Sequence, residues 1–119
     1  MIQIIEGAPA GVLAFKTVGK VEASDYEVLR PAIEQAIKER GKARIVLEMG
    51  PEFDGYTAGA AWEDAKLWAP HLGDWERCAV VTDHKFMGDA IRAFGMIMPG
   101  EIKVFPVGEL AQALVWAAA

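Results

Sequence analysis

The stretch ARIVLEMGPEFDGYTAGAAWEDAKLW, Ala43 to Trp68, holds the unit on which the fold turns. ARIVLEM is a short apolar run, and a run of that length beside a turn reads as a strand buried on both faces. The Asp54–Gly55 pair then marks a turn, because the aspartate carboxylate bonds its own backbone there. Thr57 is placed to cap a helix in which Ala58, Ala61, Trp62, Ala65, Ala69 and Leu72 fall on one face. Pro70 predicts a kink or an early stop. Strand, turn and helix in this order begin a parallel β–α–β unit.

The chain repeats that rhythm on the C-terminal side. CAVVTD, Cys78 to Asp83, is the next strand, and a helix follows from Lys85 to Met98 until Pro99 and Gly100 break it. Its core pairs are Phe86 with Met87 and Ala90 with Ile91, then Phe94. EIKVFPV from Glu101 is a fifth strand, and GELAQALVWAAA closes the chain as a helix. On the N-terminal side, Met1 to Ile5 and VLAFKTVGKV flank the turn GAPAG and form an antiparallel hairpin. Ser24 and Glu27 have capping-box spacing and open a helix that Gly41 ends. Pro31 inside it predicts either a kink or a helix proper beginning there. The expected fold is α/β: a five-stranded, mixed but mainly parallel sheet with an N-terminal hairpin, flanked by four helices.

The length of 119 residues suits a single domain with its own core. A net charge of −5 argues against a nucleic-acid partner, which needs a clustered basic surface. Lys38, Arg40, Lys42 and Arg44 do cluster, at a helix end where cations complement the terminal carbonyls. Cys78 stands alone, so no internal disulfide forms. There is no basic, apolar leader and no apolar run of spanning length, so the expected location is cytoplasmic, with no membrane span. His71, His84 and Cys78 lack paired metal-ligand spacing, and no glycine-rich phosphate loop occurs, so no metal or cofactor is expected.

Ligands of open α/β sheets sit beyond the carboxyl ends of the strands. Two polar loops qualify: Glu52, Asp54, Tyr56 and Thr57 after the third strand, and Asp83, His84 and Lys85 after the fourth. If those strands are neighbours, the loops face one crevice. Each residue also has a local explanation, Asp54 in its turn and Asp83 as a helix cap. On the second helix Asp64, Leu67, Trp68 and His71 share a side rotated from the alanine stripe. That side is a candidate contact surface centred on Trp68, or the second apolar face of a deeply buried helix. The methionine-rich end of the third helix, AFGMIM, suits either core or an adaptable apolar pocket.

The element order resembles the SpoIIAA-like proteins, as does the spacing of AWEDAK, His71, RCAVVTD (Arg77 to Asp83), Pro99 to Glu101, Phe105 and ALVW. These belong to the wider STAS group of sulfate transporters and anti-sigma factor antagonists, whose fold also resembles lipid-carrying CRAL-TRIO domains. Anti-sigma antagonists carry a phosphorylated serine in an Asp-Ser-Ser-Gly motif at the start of the second helix. Here Tyr56, Thr57, Ala58 and Gly59 occupy that register, so the motif is not kept and Thr57 is the candidate phosphoacceptor. The resemblance implies first a non-catalytic regulatory or protein-interaction domain, expected as a homodimer with a protein partner. A carrier of a small apolar ligand or lipid ranks second. A small hydrolase or isomerase built on Asp54, Asp83 and His84 ranks third.

Overall fold

The computed structural model describes all 119 residues. The main sheet contains β1 (Ile2–Ile4), β2 (Leu13–Thr17), β4 (Ala43–Met49), β6 (Trp75–Thr82) and β7 (Glu101–Phe105), in that spatial order. β1 runs antiparallel to β2, and the other neighbours are parallel. The helices are α1 (Tyr26–Arg40), α2 (Ala58–Trp68), α3 (Lys85–Gly95) and α4 (Leu110–Ala118). The five-stranded mixed sheet and four helices match the sequence expectation.

One element was not expected. VLAFKTVGKV does not continue as one strand: at Gly19 the backbone turns to φ 65°, a conformation that favours glycine. Beyond it, β3 (Gly19–Val21) leaves the main sheet and pairs in parallel with β5 (Phe53–Tyr56), the segment read as a turn.

From β2 to β7 the strand positions advance across the sheet in one direction. Right-handed crossovers then place every connecting helix on the same side. α1, α2 and α3 accordingly share one face, and α4, which follows the last strand, covers the other. The central strands divide their side chains between these layers with a period of two. Val46, Ala79 and Val81 pack beneath α4 against Ala113 and Ala117. Ile45, Leu47 and Cys78 turn the other way.

Several local expectations are corrected. The reciprocal N-terminal cap of the first helix is made by Glu22 and Asp25, one short turn ahead of Ser24 and Glu27. α1 then runs unbroken through Pro31 to Gly41. Arg44 does not serve the end of α1. Its Nη1 donates to the Ala117 carbonyl at 2.8 Å, and Arg77 Nη1 donates to Trp116 O at 2.6 Å, so both arginines cap the carbonyl end of α4.

The largest correction concerns α2, which presents the opposite face. Ala58, Ala61, Trp62, Ala65, Ala69 and Leu72 are exposed, Trp62 to 66%. Ala60 and Leu67 are fully buried, and Trp68 stacks on Trp75 with ring centroids 3.8 Å apart. The helix ends at Trp68, so Ala69 and Leu72 fall outside it; within α2 the predicted stripe keeps one large side chain, Trp62, against Leu67 and Trp68 on the buried side. Leu67 and Trp68 therefore face inward and are not a free contact surface. The helix ends at Trp68 in a short 3-10 turn, Ala69–His71, which accommodates Pro70.

On this packing Leu67→Ala should cost about 2–5 kcal/mol in urea-induced unfolding. Trp62→Ala should change stability by no more than about 0.5 kcal/mol, because it removes an exposed side chain. Equal costs for the two would reverse the orientation assigned to α2.

Candidate functional site

A cavity of about 280 Å³ lies on the three-helix face of the sheet. Its floor is made by Ile45 and Leu47 of β4 and by Cys78 and Val80 of β6. Leu29 and Ile33 of α1 form one wall, and Met87, Ile91 and Phe94 of α3 form another. Asp64 and Trp68 reach it from α2. The volume is roughly twice the ~150 Å³ that accepts a benzene ring and lies near the lower edge of small-molecule sites.

Two features of the chain hold this space open. α2 rests mainly on α1, the 3-10 turn Ala23–Asp25 and β5, rather than on the central strands. An ion pair ties it there, with Arg30 of α1 3.2 Å from Glu63. α3 settles instead on the edge strand β7. A Cβ on Gly88 would lie 3.7 Å from Val104, and one on Gly95 would lie 3.3 Å from Ile102, so missing side chains let helix and strand approach closely. α2 and α3 are thus anchored on different supports, with the cavity between them.

Among the twenty residues that line the cavity, Asp64 is the one with a formal charge at neutral pH. Its Oδ1 accepts from the Tyr26 hydroxyl at 2.8 Å and from Trp68 Nε1 at 3.2 Å. Burial pushes its carboxyl upward from the ordinary range, against the pull of those two donors. Burial also raises the Tyr26 and Tyr56 phenols, and the Asp64 charge adds to both. The Cys78 thiol is pushed up to about 12, first by burial and then by Asp64. Trp75 Nε1 is buried with no acceptor.

The predicted crevice residues separate. β4 and β6 are indeed parallel neighbours, with Met49 opposite Thr82. Asp83 and His84 line a small cleft beyond their ends with Gly50, Pro51 and Phe53. Asp54, Tyr56, Thr57 and Lys85 do not line it, because β5 leaves to join β3. Tyr56 instead lines the apolar cavity. Thr57 caps α2, its hydroxyl accepting from Ala60 N–H at 3.1 Å. The α3 cap is His84, whose Nδ1 accepts from Met87 N–H at 3.3 Å, rather than Asp83. Asp83 Oδ1 accepts from Val107 N–H at 2.9 Å, so Asp83 and His84 serve different backbones. His71 pairs with Asp74 at 2.8 Å. No group of three potential metal ligands converges.

Tyr26, Trp75 and Cys78 were not recognised as site residues. The available signal was the Asp64–Trp68 pair, one helical turn apart on the face with the larger apolar side chains.

The SpoIIAA-like family model matches residues 12–118, and the chain belongs to that family. An uncharacterized protein with a SpoIIAA-like fold from Shewanella loihica PV-4 is 31% identical, with a TM-score of 0.78. The match covers 98% of this chain and 92% of that one. No curated protein gives a significant match. No helix is long and apolar enough to cross a membrane.

With a thiol pKa of about 12, Cys78 is almost wholly protonated at pH 8. A small thiol reagent should therefore modify the native protein at least ~100-fold more slowly than the urea-unfolded chain. Comparable rates would place Cys78 in a polar, accessible setting.

Proposed function

We propose that this protein is a non-catalytic binding domain for a small apolar molecule, held between the sheet and α1, α2 and α3. The observation that carries the reading is the cavity itself: about 280 Å³, with a single charged side chain among its walls. Protein interiors are normally close-packed, and voids larger than a water molecule are few. This one opens to solvent past Phe94, so its apolar walls stand against water that an apolar ligand would displace. Met87 and Met98 add flexible, polarizable walls suited to varied apolar shapes. The side chains with acid–base capacity at the site, Asp64, Tyr26 and Tyr56, have no activated nucleophile beside them, which favours binding over turnover.

1-Decanol is a suitable probe, since its size is close to the roughly twelve heavy atoms that two benzene-sized volumes hold. Calorimetric titration should give saturable binding at one site, with a rise in melting temperature that grows with ligand concentration. Ile91→Trp, which fills the space, should abolish binding and leave the fold intact by circular dichroism. Absence of binding by the wild type would overturn the reading.

The regulatory or interaction reading has its own support at the outer end of α3. Met96 and Ile97, which follow its last turn, are each more than 70% exposed, an apolar cost that a second copy or a protein partner would relieve. A homodimer through this end predicts a dimer mass by light scattering and a monomer after Ile97→Glu. A wild-type monomer would contradict it.

A further inference from the structure

Within the apolar-ligand reading, on which this inference rests, we propose that the preferred ligand is an amphiphile with a cationic nitrogen, paired with Asp64. Asp64 is half-buried at the cavity wall, and a carboxylate drawn partly out of water is stabilised by a cationic partner or by several donors. Asp64 has neither full set. Both hydrogen bonds it receives come from neutral donors, and both fall on Oδ1. Oδ2 has no partner within the protein and is not sealed from solvent, so it is free to meet a ligand, and no lysine, arginine or histidine forms an ion pair with Asp64. The nearby cations are engaged elsewhere: Lys66, two residues along α2, and Arg30 of α1 are both paired with Glu63.

The surroundings suit a positive nitrogen rather than a second hydroxyl. Tyr26, Tyr56, Trp68 and Trp75 all line the cavity together with Asp64. Aromatic rings attract cations through their quadrupoles, most strongly where water is excluded, and aromatic pockets with an acidic residue recognise alkylammonium groups on that basis. The rest of the lining, from Leu29 to Ile91, accommodates only hydrocarbon. A ligand carboxylate is disfavoured, since it would bring a like charge beside Asp64.

Three probes with one chain length separate this inference from the reading beneath it: decylamine, 1-decanol and decanoate, each titrated at pH 7.5 below its micelle concentration. Decylamine is expected to bind at least tenfold more tightly than 1-decanol, and decanoate most weakly. Asp64→Asn retains an oxygen for Tyr26 and Trp68 but no charge. It should bring decylamine to within about twofold of 1-decanol and leave 1-decanol unchanged. Equal affinities of amine and alcohol in the wild type would overturn the inference and leave the apolar-ligand reading standing. An amine preference that survives in Asp64→Asn would also overturn it, assigning the effect to the acidic surface. Failure of all three probes to bind would remove both. Should Asp64→Asn fail to fold, the wild type decides by carbon-13 NMR. Decylamine should lower the titration midpoint of the Asp64 carboxylate, whereas 1-decanol should not, and an unmoved midpoint with bound amine would exclude the pairing.

Discussion

Strands about 4.8 Å apart give a five-stranded sheet about 19 Å between its outer strands, whereas packed helices need about 10 Å each. Two helices cover such a face. Topology nevertheless delivers three, because right-handed crossovers from β2 through β4 and β6 to β7 set α1, α2 and α3 on the same side. The excess is resolved by lifting α2 from the central strands. It comes to rest on α1 and on the small β3–β5 ribbon, which exists only because the chain breaks at Gly19 and turns out at Pro51. The space beneath the lifted helix is the cavity. α4 faces no such crowding. It lies alone on the other face, and Ala113 and Ala117 approach Ala79 closely there.

Lifting α2 also decides what the cavity contains. A helix resting on a sheet buries an apolar stripe, but one spanning a gap needs long side chains that reach across it. Trp68 does so by stacking on Trp75, and Asp64 does so by receiving the Tyr26 hydroxyl from α1. The polar cluster is therefore part of the support for α2 and at the same time the polar end of the pocket. Its influence extends to Cys78 on the central strand, where the Asp64 charge adds to burial in holding the thiol protonated. Structure and recognition share these groups, so the site is preorganised by the fold.

Much of this architecture was legible in the sequence. ARIVLEM and CAVVTD announced central parallel strands because both faces of each are covered, which leaves an uninterrupted apolar run. The outer limits of the site were not legible for three physical reasons. The expected face of α2 assumes a helix reaching Leu72, whereas the helix stops at Trp68; that removes Ala69 and Leu72 from the stripe and leaves Trp62 alone against Leu67 and Trp68. The segment FDGY carries turn residues, and its pairing with β3 depends on a distant chain break that no local pattern records. Phe86 and Phe94 read as core because α3 is strongly amphipathic, yet Phe86 faces solvent and Phe94 lines the cavity beside Met87 and Ile91 while staying half exposed, since α3 sits at the sheet edge, where Gly88 and Gly95 let it approach β7. The crevice of Asp83 and His84 was placed at the correct end of the sheet, and its other half was carried off by β5.

The claim on which the account stands is that the space under α2 and α3 receives a guest. Methyl-detected NMR tests it most directly, by following the isoleucine, leucine and methionine methyl groups as 1-decanol is added. The account predicts intermolecular contacts to Leu47, Met87 and Ile91, with Met96 and Ile97 unaffected. Contacts confined to Met96 and Ile97, or none to Leu47 at saturation, would show that the interior stays closed and that the apolar surface of α3 alone attracts such molecules.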